Sequence, residues 1–252
     1  MINDPRKLIS QMHQATCYEN LPVSGEKLKE TYPQYLDSVF EESKLIHLPD
    51  WSEFEPEKND FVDVLIKRRS VRRYDTNAVM TQLELSYLLM LTQGVREIDQ
   101  KRQLTYRYVP SAGSRHPFVT YLLIQNVEGL QAGIYHYVAQ LHAIEPVDLS
   151  QEAIENAYQT TLRQKQVITS AVTFFWSAEV YRTSWRYSSR AYRYIHLDAG
   201  HVCQNLYLAA ESIDYGVCAI AAFDDHLANE MLGLNESNRF VVYIASVGKK
   251  TD

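Results

Sequence analysis

Cysteine is scarce in this chain: Cys17, Cys203 and Cys218 lie far apart and form no CxxC pair. That spacing excludes a disulfide framework and a cysteine-based zinc site. The eight histidines show no HExxH or comparable spacing, and His196 and His201, five apart on an expected helix, fall on different faces. No metal site is expected. Glycine is also sparse, nine in 252 residues. None falls in a GxGxxG or GxxxxGKS/T pattern, which disfavours a Rossmann dehydrogenase and a P-loop nucleotidase. A GxSxG elbow and a papain-like cysteine context are missing as well. No apolar run approaches the roughly 20 residues that cross a bilayer. The opening Met1-Ile2-Asn3-Asp4 lacks a basic region followed by an apolar one, so no signal peptide is expected. Cations are outnumbered, 25 Lys and Arg against 31 Asp and Glu, and a net charge of −6 argues against a dedicated nucleic-acid binder. A reduced, metal-free cytoplasmic protein with no nucleic-acid or membrane partner is the simplest expectation.

What is present is enough for a core: 46% of the residues are hydrophobic and 22% charged, ordinary globular composition. Residues 1–56 are polar and rich in Glu, Lys, Tyr and Pro, and are read as an N-terminal arm with one or two short helices. Its stripe of Tyr32, Tyr35, Leu36, Val39 and Phe40 is expected to pack on a main domain at 57–252, and His47-Leu48-Pro49-Asp50-Trp51 reads as an extended connector. Asp60 is placed to cap a helix through Phe61–Ile66, and Thr81 with Glu84 forms a capping box for a helix closed by Gly94. Phe118–Gln125 reads as a strand, Gly133–Tyr137 with Leu141–Ile144 as a β-hairpin, and 151–165 as a helix. Val167–Ala178 predicts a doubly buried strand. A long helix is expected over Ser189–Asp214, with Leu197, Val202, Leu206, Leu208 and Ala209 on its apolar side and Gly216 ending it. Val217–Ala222 is short and apolar, Asp224 caps a brief helix, and Phe240–Val247 is a last strand. Strands and helices mix without regular βαβ alternation, so the fold class is α+β rather than doubly wound.

Four segments carry candidate chemistry. Lys67-Arg68-Arg69-Ser70-Val71-Arg72-Arg73 packs five cations and a hydroxyl into seven residues, which suits a phosphate held by arginine forks; a solvated helix end is the other reading. Pro110-Ser111-Ala112-Gly113-Ser114-Arg115-His116-Pro117 is a loop of small residues fenced by prolines, either open to close ligand approach or an ordinary strand-entry turn. Gly216–Asp225 is a run of small residues whose backbone N–H groups can face a planar ring, or else a buried short strand. Arg182, Arg186, Arg190 and Arg193 recur at helical spacing among aromatics, either over a substrate pocket or paired with acids.

In this order, the segments resemble the nitroreductase superfamily: an Arg-x-Ser-x-Arg element (Arg68-Arg69-Ser70-Val71-Arg72), a Pro-Ser loop (Pro110–Pro117), a small-residue segment (Ala219–Asp224) and a basic tail (Gly248-Lys249-Lys250). The loop PSAGSRHP, with Gly133-Ile134-Tyr135-His136-Tyr137, Arg190-Ala191-Tyr192-Arg193-Tyr194 and Asp198–Asn205, is similar to the SagB-type dehydrogenase branch in particular. The resemblance covers about residues 45–250. It implies a central mixed or antiparallel sheet flanked by helices, an intertwined homodimer with two FMN sites at its interface, and two-electron oxidoreduction of a small or peptidic substrate, with NAD(P)H as a candidate electron donor. By the same resemblance Arg68, Arg69, Ser70 and Arg72 hold the phosphate and ribityl chain, with Gly248, Lys249 and Lys250 from the tail. Pro110, Ser111, Ala112, Gly113 and Ser114 reach the flavin from the partner subunit, and the N–H of Ala221 or Ala222 faces flavin N5.

Members of that branch oxidise azolines to azoles in modified peptides, and a Lys-Tyr pair before the RxYR segment is implicated in removing the substrate proton. Here the matching positions are Arg186 and Tyr187. A guanidinium stays protonated and does not replace lysine as a base; Tyr187 serves as base or donor if Arg186 lowers its pKa. Azoline oxidation within a peptide-modifying complex is therefore one alternative, and a non-catalytic flavin-binding scaffold another.

Overall fold

The computed structural model describes residues 4–58, 60–234 and 237–251. Met1, Ile2 and Asn3, part of the stretch in which no signal peptide is read, and Asp252 at the end of the expected main domain lie outside them. In chain order the elements are α1 (Pro5–Ala15), α2 (Gly25–Leu28), β1 (Ile46–His47), α3 (Phe61–Lys67), α4 (Gln82–Gln93), β2 (Val95–Asp99), β3 (Leu104–Arg107), β4 (Phe118–Ile124), β5 (Gly133–Val138), β6 (Ala143–Asp148), α5 (Gln151–Thr160), α6 (Lys165–Thr169), β7 (Val172–Glu179), α7 (Val180–Tyr187), α8 (Ala191–Ser212), β8 (Tyr215–Ile220), α9 (Asp225–Met231) and β9 (Arg239–Lys249).

One sheet runs β1-β6-β5-β4-β7-β9-β8, antiparallel at every pairing, and β2 with β3 forms a separate hairpin. Alternation along β4 and β7 sends side chains to two cores. Leu122, Ile124, Phe174 and Trp176 meet α4 and α8, whereas Leu123 and Phe175 meet α5 and α9. Because both faces are covered, these strands read as continuous apolar runs. The α+β class and the helix-flanked sheet expected from sequence are found. At about 25 cal/mol per Å² of apolar surface removed from water, this two-sided burial is the main driving force of the fold.

Local signals hold where the cap is a side chain. Asp60 accepts the N–H of Asp63 (2.8 Å), the Thr81–Glu84 box is reciprocal, Gly94 follows α4, and Asp224 caps α9. Tertiary pairing overrides sequence in two places. The run at 167–171 is not strand: α6 ends at Thr169, and β7 starts only at Val172, opposite Ile124 and Val247 at the ends of its neighbours. Gly216 does not end a helix. The chain turns at Asp214 (φ 60°), and Gly216 already lies in β8. The helix expected over Ser189–Asp214 is found as α8, preceded by a separate short α7, but Leu197 is exposed rather than on the buried side.

The connector residue His47 is extended and adds to the sheet, pairing with Ala143 through β1. Farther upstream Tyr32 of the expected stripe packs on Trp185, 4.5 Å between ring centroids, and a polar anchor joins it. Val39 is exposed, whereas Asp37 and Arg182 form a buried ion pair at 2.9 Å. Burial alone would push the Asp37 carboxyl up, but Arg182 and Arg107 outweigh it and hold it below its ordinary 3.8. A depressed carboxylate contributes stability above the unfolded value and loses it as pH falls through the folded one. Replacing Asp37 by Ala leaves Arg182 buried without its partner and should cost about 3–5 kcal/mol. Urea unfolding of Asp37→Ala against the parent chain measures this; the gap should narrow as pH falls below 3.8.

Candidate active site

After α3 the basic segment runs along the β8 edge of the sheet as a strap. Val71 N–H donates to Val217 O (2.8 Å) and Asp75 N–H to Lys249 O (3.0 Å), with bridges from Ser70 to Val217 and from Tyr74 to Lys250. Two glycines permit this approach: a Cβ on Gly216 would come within 2.5 Å of Val71, and one on Gly248 within 2.6 Å of Tyr74. The hydroxyl of Tyr207, on α8, ties the strap to β8, lying 2.9 Å from Ser70 Oγ and accepting Ala219 N–H at 3.0 Å. The Arg68 guanidinium sits over the Tyr207 ring, 5.1 Å from its centroid.

Lys67 at the end of α3 is paired with Asp63. Among the described residues Arg68, Arg69, Arg72 and Arg73 have no carboxylate within ion-pair distance, and Arg69, Arg72 and Arg73 are exposed. Such a concentration of like charge, held in place by backbone bonds, is unfavourable without an anion and suits a phosphate. The two tail lysines differ. Lys249 Nζ lies over Tyr215, reaches Ile213 O at 3.4 Å near the strap, and stands 4.0 Å from Asp214, at the limit of an ion pair. Lys250 instead meets Glu211 at 2.6 Å, in a cluster that Lys58 and Asp214 share. Its charge is compensated. Ala221 and Ala222 are exposed just past the end of β8.

The proline-fenced loop gathers elsewhere in the chain. Ser111 Oγ–H donates to Asp198 Oδ2 (2.6 Å), Ala112 N–H reaches the same carboxylate (3.3 Å), and Ser111 Oγ accepts His116 N–H (2.9 Å). Three of its residues, Gly113, Ser114 and His116, have φ of 58°, 53° and 41°. For the latter two this is a strained backbone that surrounding bonds must hold. A Cβ on Gly113 would lie 2.4 Å from the Tyr187 hydroxyl, so loop and tyrosine are in contact. Pro110 precedes the loop and is exposed.

Tyr187 does not behave as a lowered-pKa base. Burial raises its phenol above 10, and the opposing effect of Arg186 is smaller. It is held protonated, a donor. Arg186 lies 5.8 Å from the Tyr187 ring centroid and 3.7 Å from Glu26. Within one chain, the sequence-derived residues therefore form two groups, the strap with Lys249 and the loop with Tyr187. Tyr207 in the first and Asp198 in the second stand nine residues apart on α8, or about 14 Å. Sequence reasoning missed Tyr207, since a hydroxyl on an apolar helix face carries no motif. The arginines at 182, 190 and 193 serve the arm: Arg190 donates to Thr16 O (2.7 Å) and Arg193 to Thr16 Oγ1 (2.6 Å).

Among the described residues no Lys or Arg pairs with Asp198, whose neighbour His201 has Nδ1 at 3.9 Å, and burial raises its carboxyl above 3.8 despite the Ser111 and Ala112 donors. A raised carboxyl means the folded state holds the proton more tightly. This group's contribution therefore declines as pH rises through the window above 3.8. Asp198→Ala strands two donors and should cost about 2–4 kcal/mol. Asp198→Asn should gain stability relative to the parent chain as pH rises from that value, readable as the difference between two melting curves.

The nitroreductase family model matches residues 65–249. A nitroreductase candidate of Methanocaldococcus jannaschii is 33% identical over 207 residues, spanning 82% of this chain and 97% of that protein. A solved nitroreductase candidate from Anabaena variabilis superposes with TM-score 0.64 at 29% identity, covering 76% of this chain and 38% of that longer one. A chain of the E. coli microcin synthetase McbBCD complex with truncated pro-MccB17 bound superposes with TM-score 0.60 at 17% identity, over 99% of this chain and 95% of that one. Another nitroreductase candidate, from Exiguobacterium sibiricum and solved in complex with FMN, gives TM-score 0.56 at 17% identity, over 77% of this chain and 90% of that one. Among the described residues no group of side chains suits a metal ion and no helix is long and apolar enough to cross a membrane. A basic strap on the sheet edge, a Pro-Ser loop and a family match over most of the length agree: the chain belongs to the nitroreductase family.

Proposed function

We propose that this protein is an FMN-dependent two-electron oxidoreductase of the SagB-type branch, working as a cytoplasmic homodimer on a small or peptidic substrate. The observation that carries the reading is the strap, whose arginines lack carboxylate partners among the described residues. They fit the flavin phosphate. Arg68, Arg69, Ser70 and Arg72 would hold it with Lys249, while Tyr207 orients Ser70. When bound, FMN supplies the two-electron chemistry at its ring. Ala221 and Ala222 would present backbone N–H groups to that ring. Residues 1–56 would form an arm on a flavin domain at 57–252.

The loop at 110–114 and Tyr187 lie roughly a helix-half away from the strap on their own chain, so a partner subunit's loop would complete each site. Apolar side chains exposed together on α3 (Phe61, Val62, Leu65 and Ile66) support a paired surface. Tyr187, protonated by burial, would donate a proton to the substrate, and Arg186 would favour anionic charge beside it. NAD(P)H is the candidate electron donor. A second reading, azoline oxidation in a peptide-modifying complex, is favoured by the near-complete superposition on a chain of the microcin synthetase complex.

Purified protein should be yellow or gain flavin absorbance on titration with FMN, and sediment as a dimer. Arg68→Ala with Arg72→Ala should weaken FMN binding at least about a hundredfold, since each charge-assisted phosphate contact contributes about 1.5–3 kcal/mol. A parent chain that takes up no FMN sinks the proposal. Tyr187→Phe should keep the flavin and lower turnover about tenfold or more, the scale of a lost proton donor.

A further inference from the structure

The N-terminal arm lies outside the matched family region, yet it encloses a cavity of about 300 Å³ against the α7–α8 junction. Tyr18, Val23 and Lys27 line it from the arm; Arg186, Tyr187 and Arg190 line it from the junction. The arm is held there by directed bonds. Arg190 donates to Thr16 O at 2.7 Å and stands 4.3 Å from the Tyr18 ring centroid, Ser189 Oγ–H donates to Ala15 O at 2.6 Å, and Trp185 Nε1–H donates to Glu30 O at 3.2 Å. The wall is built, not a loose tail.

Three properties of the cavity point to one kind of occupant. Its charge is unbalanced: Lys27, Arg186 and Arg190 face it, and the acid engaging them is Glu26, 3.7 Å from Arg186. Lys27 has no ion pair among the described residues. Leu21, Pro22, Val23 and Tyr18 give it an apolar and aromatic side, with Ser24 and Ser188 as further polar lining. Ser188, also in the lining, has φ 53° and ψ −141°, a conformation that serine adopts only under constraint and that concentrates at functional sites. Pro22, Val23 and Lys27 are exposed, so the cavity is open to an incoming molecule.

From this geometry we infer that the arm completes a binding pocket for the carboxylate end of an apolar organic anion, with Lys27 and Arg186 taking the charge and Tyr18 and Val23 the hydrocarbon. The pocket opens on Tyr187, so its ligand is the substrate or a part of it. The inference rests on the proposed reaction at Tyr187, but its test does not need turnover.

Calorimetric titration of the full chain with benzoate, its neutral isostere benzamide and inorganic phosphate, at low and high salt, decides the matter. Benzoate should bind at least about tenfold more tightly than benzamide at low salt, a charge-assisted difference of about 1.4 kcal/mol. Lys27→Glu, at an exposed position, should weaken benzoate about fivefold or more and leave benzamide unchanged. Val23→Trp should abolish both by filling the cavity. Equal affinity for benzoate and benzamide, benzoate binding untouched by Lys27→Glu, or phosphate binding in preference to benzoate would overturn the assignment. Flavin content is measured on the same samples. Loss of FMN binding in the parent chain speaks against the proposed function, whereas failure of the benzoate titration with flavin present speaks against this pocket alone.

Discussion

Two backbone hydrogen bonds, Val71 to Val217 and Asp75 to Lys249, hold the candidate site together. They pin an arginine-rich strap along β8 and the end of β9 in a position its own charge opposes. Mutual repulsion of Arg68, Arg69, Arg72 and Arg73 would drive a free segment into water, where screening relieves it. The sheet does not allow that escape. Gly216 and Gly248 let the strap lie flat on β8 and the end of β9, and Tyr207 bonds both Ser70 and Ala219. Positive potential is thus concentrated at one place on a protein that is acidic as a whole.

The helix α8 organises the rest. Its C-terminal half carries Tyr207 against the strap and Glu211 against Lys58 and Lys250; its N-terminal half carries Asp198 under the proline-fenced loop. One rigid element therefore sets the separation between the basic strap and the loop with Tyr187. In the chain by itself the two do not meet, and this is the geometry a second subunit would resolve. Asp198 holds the loop against a cost visible in the left-handed Ser114 and His116, and its own burial, with no Lys or Arg in ion-pair range among the described residues, is a second cost. Both are tolerable because the cores on either side of the sheet supply most of the folding free energy.

The arm behaves as part of the same body. Its strand β1 extends the sheet, Asp37 closes a buried ion pair with Arg182, and residues 15–31 bond to α7 and α8. Arginines that look in sequence like a recognition stripe are largely spent on holding this segment. Arg186 is different, since its contacts with Glu26 and Tyr187 leave it facing the cavity.

The sequence by itself determined whatever depends on neighbours along the chain. Side-chain caps at Asp60, Thr81 and Asp224, the apolar runs of β4 and β9, the α+β class and the ordered basic, Pro-Ser, small-residue and tail segments were all legible, because each signal spans a few residues. Tertiary structure alone decided where the strand after Val167 begins, that Gly216 serves close packing against Val71 rather than helix termination, and that Asp37 rather than Val39 anchors the arm. It also placed Glu211 beside Lys250, and raised the Tyr187 phenol by partly burying it. The common reason is that desolvation, ion pairing and steric approach depend on groups as many as 180 residues apart, and no local pattern of residues records which of them will meet.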